Sequence, residues 1–439
     1  MRRTLHPRFA VAMGGSLVTL TAPLAMAQAD DPIILVANEG NLEGSLTSMR
    51  VNPDGTLTFI DRLVTGTRSS TSQPCPGCNT YGVSISPNGR WAATCHAAGD
   101  AGEQTTIYEI LPDGSLELAD VVSLAQGGLD IQWLRDDLLA VPITDSSATN
   151  ILRLYTWDEG AKELTFASSA QAGSFLTSVA LHPNGQWLYA NDSFANTVRV
   201  FEVSGTTLSL VQTAPISVYG VSLAVSPNGK FLYAAGGISA GGHAFAGYII
   251  DQATGMLTGA IAGSPFTSPG SSPKGFAFTP DGSYLYVSHG TDATIRAFAM
   301  DVEAGVPTDT GYSFDVGLQG TLQGMGTLGG LLFACDDSTA IDGVAGAYSF
   351  TIDGGTGDFA PTPGAPVLTE GVSPNDIATW AGAPCPPDIN GDGVLNLDDI
   401  NLFADAFTAG DLLADADGNG ILNLDDVNLF AAGFLAGCP

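Results

Sequence analysis

The chain has 439 residues, with 45 acidic against 14 basic side chains and a formal charge of −31. Such a surface repels phosphate backbones and anionic headgroups, which argues against nucleic-acid or anionic-membrane binding. With 44% hydrophobic and only 13% charged residues, it does not have the composition of a disordered acidic polymer either.

The chain opens Met1-Arg2-Arg3, continues through an apolar run from Phe9 to Leu24 and reaches Ala25-Met26-Ala27. A basic start, an apolar stretch and a small-x-small site read as a secretory signal, residues 1–27, cleaved before Gln28. Gly14, Gly15 and Pro23 interrupt the run and make it a poor membrane anchor, and no later segment is apolar for long enough to span a bilayer. The expectation is a soluble, exported protein, extracellular or associated with the cell envelope. Loss of Arg2, Arg3 and Arg8 takes its charge from −31 to −34.

Six cysteines in an exported chain point to disulfides. Cys75-Pro-Gly-Cys78 has no βαβ context for a redox motif and reads as a loop disulfide. A zinc site of Cys75, Cys78, Cys95 and His96 is the alternative. Cys385 and Cys438 bracket the C-terminal segment and are expected to bridge, tying together a small domain with little core. Cys335 is left unassigned.

Between these ends a hairpin pattern recurs. Its clearest copies are Gly82–Thr94, Ser178–Ala190, Val221–Ala234 and Gly275–Val287, each an alternating strand, a Pro-Asn/Asp-Gly turn and an aliphatic-aromatic strand. The turn prolines, 87, 183, 227 and 280, fit a period of about 48 once a degenerate copy at Ile131–Val141 is included. Another degenerate copy lies at Met325–Ala334. A second hairpin follows each first one, as in the pair turning at Pro112-Asp113-Gly114. Four short strands per unit at this period predict an all-β propeller with blades at 80–122, 128–168, 174–213, 219–260, 273–315 and 321–361. A seventh blade would be split, with three strands from Ile33 to Val64 and the innermost from Ser373 to Trp380, so that the chain ends close the ring.

These residues resemble the seven-bladed propeller lactonase family and its YVTN-repeat relatives. The likeness lies in the Ser/His/Thr-Pro-Asn/Asp-Gly turns, the Leu-Tyr-Ala/Val strands and Pro273-Lys-Gly-Phe-Ala-Phe278, over roughly residues 30–381. It implies the fold, assigned here to domain 28–381, and sugar-lactone hydrolysis as one activity. No catalytic constellation of the family is matched residue by residue.

Residues 382–439 form a separate domain in which one 12-residue pattern occurs twice, 27 residues apart. Asp388, Asn390, Asp392, Val394, Asn396 and Asp399 form the first set, and Asp415, Asp417, Asn419, Ile421, Asn423 and Asp426 the second. Oxygen-bearing side chains at positions 1, 3, 5, 9 and 12, a backbone carbonyl at 7 and Gly at 6 are the spacing of an EF-hand-type loop around Ca²⁺. Two structural calcium ions and two short helices, Asp399–Phe407 and Asp426–Phe434, are expected. Bracketed by Cys385-Pro386 and Gly437-Cys438-Pro439, with Asp rather than Glu at position 12, the segment resembles a dockerin. That resemblance implies calcium-dependent attachment to a cohesin-like partner. The nearly identical helices suggest two equivalent binding orientations.

In a four-stranded blade the Pro-Asn-Gly and Pro-Asp-Gly turns share one face, and the longer second-to-third connections occupy the other. His96, His243 and His289 fall in those connections, with Asp100, Asp145, Asp192, Asp292, Asp336 and Asp337. The catalytic candidates are His96, His289, Asp292, Asp336 and Lys274, the last placed before an innermost strand at the channel mouth. His182, inside a hairpin, reads as structural. Three functions follow. The first is a secreted binding or scaffold propeller on a calcium-dependent anchor. The second is a lactonase-type hydrolase on the same anchor. The third is a component of a polysaccharide-degrading assembly, with Phe194, Phe245 and Phe266 as candidate exposed aromatics. A small lactone or carbohydrate is the expected ligand of the latter two.

Overall fold

The structure is a computed structural model. It describes residues 31–97, 103–124, 127–143, 150–173, 175–236, 243–316, 322–336 and 346–382, and residues 387, 389, 395, 397–414, 416 and 422–436 of the C-terminal segment. The described strands form seven antiparallel sheets, one per blade of a seven-bladed propeller. Blade 1 comprises Thr80–Ile85, Trp91–His96, Gln104–Ile110 and Leu116–Ser123, innermost strand first. Blades 2 to 6 begin with the innermost strands Gln132–Arg135, Leu176–Leu181, Gly220–Val225, Pro273–Phe278 and Leu322–Leu328. Blade 7 is split as the sequence suggests: Pro374–Trp380 pairs antiparallel with Ile33–Glu39, which continues into Glu43–Val51 and Leu57–Thr67. Blades 4 and 6 each carry one extra two-residue strand, Phe266–Thr267 and Val367–Leu368, paired to the third strand.

The core lies between blades. Seven apolar clusters each join residues of two neighbouring blades, such as Tyr189 and Val200 with Leu232 and Tyr248 between blades 3 and 4. The repeat explains how they lock. Tyr189, Tyr233 and Tyr286, the tyrosines of the aliphatic-aromatic strands, donate to the carbonyls of Gly255, Gly305 and Gly357 in the next blade, at 2.9, 2.6 and 3.1 Å. Those glycines have φ of +67°, +70° and +75°, and an added Cβ would strike Trp187, Phe231 and Tyr284, the aromatic residues two places before each tyrosine. Ring closure uses serine for the same purpose: Ser349 Oγ donates to Gly55 O, and Ser48 Oγ to Gly114 O, both at 2.6 Å.

An innermost strand has no neighbour on its axial side, so its outward N–H groups need other acceptors. Side chains of the preceding blade supply them. Asp376 Oδ2 accepts from Val83 N (3.0 Å), Ser84 Oγ from Trp133 N (3.0 Å), Asp130 Oδ2 from Val179 N (2.8 Å) and Ser178 Oγ from Leu223 N (3.2 Å). Blades 5, 6 and 7 are joined by hydroxyl donors: Thr327 Oγ1 donates to Phe278 O at 2.5 Å and Thr379 Oγ1 to Thr327 O at 3.3 Å.

The C-terminal segment contributes helices Leu397–Ala409 and Leu424–Ala436. Phe403 and Phe430 stack between them with centroids 4.0 Å apart, over buried Ala406 and Ala414. No helix among the described residues is long and apolar enough to cross a membrane. The signal segment 1–27, the bridge Cys385–Cys438, and the loop positions Asp388, Asn390, Asp392, Val394, Asn396, Asp415, Asp417, Asn419 and Ile421 lie outside the described residues. So do Asp100, Asp145 and Asp337.

Candidate active site

At one end of the propeller axis, where the innermost strands begin, all seven blades contribute to a cavity of about 330 Å³. Its wall repeats one register of the fold. Ser178, Ser222 and Gly275 each lie five residues ahead of a turn proline. Asp130 and Gly324 line the wall from blades whose turns are degenerate, and Asp376 from the split blade 7, which has no such turn. Lys274, Thr177 and Asn375 come from the residues just before these, and Tyr81, Phe175, Tyr219 and Phe276 surround them with aromatic rings. This is the face of the longer connections, opposite the Pro-Asn-Gly turns.

The two carboxylates flank Gly82. Asp376 binds the amide of Val83, and a Cβ on Gly82 would stand 3.1 Å from Asp130 Cα. Burial raises the Asp376 pKa to about 7, and repulsion from Asp130 adds to the rise. Burial raises Asp130 to about 6, against the stabilising bonds from Val179, Ile131 and Ser178. Both groups therefore exchange protons near neutrality, which an exposed aspartate does not do. Asn375 is 3% exposed; its amide nitrogen donates to Tyr81 O at 2.8 Å, while Oδ1 has no hydrogen-bond partner. The stem of Lys274 covers Gly290, where a Cβ would meet it at 2.5 Å.

Of the five catalytic candidates, the cavity takes in Lys274 alone. His96 is fully buried inside blade 1, with Thr106 and Thr94 hydroxyls 3.1 and 3.3 Å from Nε2, and burial lowers its pKa to about 4. His289 is buried in blade 5, accepting from Ser268 Oγ at 2.7 Å and donating to Thr294 O at 3.1 Å. Burial takes it too down to about 4. Asp292 is exposed and caps its own loop through Ser271 N at 2.8 Å, and Asp336 is buried at the end of Leu331–Asp336 in blade 6. His182 is a strut between hairpins, with Nε2 donating to Gly229 O at 3.0 Å. These groups are distributed around the ring and do not converge.

Cys75 and Cys78 are joined as a disulfide, and Cys95 is buried against Gly82 O, which removes the zinc alternative. Phe245 and Phe266 belong to the core between blades 4 and 5, so they are not exposed sugar platforms. Phe194 is 60% exposed and stacks at 4.4 Å on Phe175, which lines the cavity. Sequence reasoning missed Asp130 and Asp376 because the first sits in a degenerate copy of the repeat and the second in the split blade. Aligning the hairpin copies on the position five before the turn would have exposed Asp130 alone, since no hairpin turn follows Asp376.

The model of the lactonase family with a seven-bladed β-propeller matches residues 158–269 and 222–322. That stretch covers blades 3 to 5. A candidate 6-phosphogluconolactonase from Bacteroides uniformis is 15% identical, with a TM-score of 0.64 over 80% of this chain and 100% of its own. A periplasmic gluconolactonase from Pseudomonas aeruginosa is 18% identical, with a TM-score of 0.60 over 80% of this chain and 99% of its own. A protein from Lactobacillus plantarum is 16% identical, with a TM-score of 0.61 over 80% and 99%. At these identities the likeness is one of fold. No curated protein matches the chain by sequence.

Proposed function

We propose that the protein is a lactonase-type hydrolase whose chemistry takes place in the axial cavity. The observation that carries this reading is the pair Asp130 and Asp376, two cavity-lining carboxyls whose proton affinity burial has brought close to neutral pH. The partial match to the lactonase family model and the fold shared with a described gluconolactonase favour lactones as the substrate class.

In this mechanism Asp376 is the general base. Its carboxylate takes a proton from water as the oxygen attacks the lactone carbonyl, and Asp130 holds the Asp376 proton affinity high enough for that transfer. The Lys274 ammonium balances the negative charge that develops on the carbonyl oxygen. The tetrahedral adduct collapses, the ring C–O bond breaks, and Asp376 returns its proton to the departing ring oxygen. Lactone and water become a hydroxy acid, which releases its own proton to solvent. The test is a pH-stat assay of the whole protein over a panel of sugar lactones, corrected for spontaneous opening. Rates equal to the uncatalysed ones throughout would remove the hydrolase reading.

The same chain is proposed to be exported and held in place by residues 382–439, folded around two Ca²⁺ ions as a dockerin-like attachment module. Asp399 and Asp426, position 12 of each repeat, are fully buried at the starts of the helices, and Asp426 Oδ2 accepts the Asn423 amide at 2.8 Å. The segment 383–439 contains ten Asp and no Lys, Arg, His or Glu, so a divalent cation is the fitting counter-charge for this donor set. When bound, the ions would neutralise the loop carboxylates and fix the helix starts, apart from any chemistry in the propeller. Leu397 and Leu424, and likewise Leu402 and Leu429, are matched positions of the two helices and stay exposed at 70%, 74%, 40% and 47%. These twinned exposed leucines support docking of a cohesin-like partner in the scaffold sense.

A further inference from the structure

We infer that the axial cavity selects an uncharged, polyhydroxylated sugar lactone and rejects the phosphorylated form of the same sugar. The inference deepens the hydrolase reading and rests on it. It follows from the balance of charge, donors and acceptors in the wall.

Lys274 is the one cation among the described lining residues, and it is set against the two carboxylates Asp130 and Asp376. A phosphate dianion held in the cavity would meet more repulsion than attraction. The formal charge of −31 on the whole chain opposes its approach as well. Phosphate-binding sites gather arginine, helix N-termini or nests of backbone N–H. Two inner-strand amides beside the cavity, those of Val83 and Val179, already donate to Asp376 and Asp130 themselves.

The wall is instead rich in acceptors that call for donors. Asn375 fixes Tyr81 O through its nitrogen and its Oδ1 is sealed from solvent, so the acceptors that the wall opens to a ligand include the carboxylates Asp130 and Asp376. An ionised phosphate has only acceptor oxygens and cannot satisfy such groups, whereas sugar hydroxyls donate to each of them. Tyr81, Phe175 and Tyr219 supply aromatic surface for the C–H side of a sugar ring, and Phe194 stacks on Phe175. A volume of about 330 Å³ suits one monosaccharide unit rather than an oligosaccharide.

The test pairs turnover with binding. Turnover compares glucono-δ-lactone with 6-phosphoglucono-δ-lactone in the whole protein. Binding compares gluconolactam, a neutral analogue that does not turn over, with its 6-phosphate by calorimetry. The expected result is a kcat/KM about 100-fold or more in favour of the neutral lactone, with a gap that widens as ionic strength falls. The lactam should bind and its phosphate should not, and replacing Asp130→Asn with Asp376→Asn should narrow the binding gap. Equal or better use of the phosphorylated lactone, or tighter binding of the phosphorylated lactam, would overturn the inference. Turnover of neither lactone with selective binding of the neutral lactam would sink the hydrolase reading and leave the ligand assignment standing. Binding of neither lactam would remove the ligand assignment.

Discussion

Asp376 Oδ2 lies 3.0 Å from the Val83 amide, joining the strand that closes the ring to the first strand of blade 1, and the same carboxyl lines the axial cavity. One side chain thus supports the ring closure and supplies the cavity with a titratable group. The two duties separate chemically. Accepting an N–H needs only an oxygen, while taking a proton from water needs a carboxylate.

Asp376→Asn should therefore keep the bond to Val83 and lose the base. We expect kcat/KM for lactone hydrolysis to fall about 10²- to 10⁴-fold. The melting temperature should stay within a few degrees of the parent. Asp376→Ala should lose both, with a further stability cost of about 1 kcal/mol. Chemical denaturation beside the rate assay checks the pair.

The raised carboxyls and the lowered histidines move stability in opposite directions with pH. Asp376 and Asp130 have folded pKa values of about 7 and about 6, above the aspartate reference of 3.8. Their contribution is full below pH ~4 and is lost as pH rises through their folded values. His96 and His289, lowered to about 4 from 6.5, contribute fully above pH ~6.5 and lose that contribution as pH falls through 4. The melting-temperature difference between the Asp130→Asn, Asp376→Asn double variant and the parent should accordingly be more favourable to the variant at pH 8 than at pH 5. A pH-independent difference would contradict the assigned shifts.

Tyr233→Phe removes the hydroxyl that bonds Gly305 O at 2.6 Å and leaves that carbonyl unpaired between blades 4 and 5. A loss of about 1–2 kcal/mol is expected by denaturant titration. Gly305→Ala should cost more, because it adds strain at φ +70° and pushes a methyl onto Phe231.

Calcium removal should loosen the C-terminal segment and spare the propeller. In an excised 382–439 fragment, chelation is expected to abolish the helical circular dichroism and readdition of Ca²⁺ to restore it. Unchanged helicity with the metal demonstrably gone would refute the proposed loops.

The blade pattern was legible because four of its first hairpins carry Pro-Asn/Asp-Gly turns, and Tyr189, Tyr233 and Tyr286 each follow such a turn proline by six residues for a packing reason the structure supplies. The split seventh blade was legible because three strands at Ile33–Val64 and one at Ser373–Trp380 are left over from the six continuous units. The site was less so. His96 and His289 stand out in a sequence as titratable groups, yet His96 is buried among threonines of blade 1 and His289 between blade 5 and Ser268 of the link from blade 4. Asp130 and Asp376 look ordinary among many aspartates. They become chemical only because ring closure brings them to either side of Gly82, a relation between residues 246 positions apart that no local pattern contains.

The most direct test of the hydrolase reading is the pH–rate profile of glucono-δ-lactone hydrolysis by the whole protein and by Asp376→Asn, each corrected for spontaneous opening. Catalysis by the parent should rise through a midpoint near pH 7 and level off, and the variant should lose that limb along with most of its rate. A variant as active as the parent, with the same profile, would contradict Asp376 as the base and the axial cavity as the site.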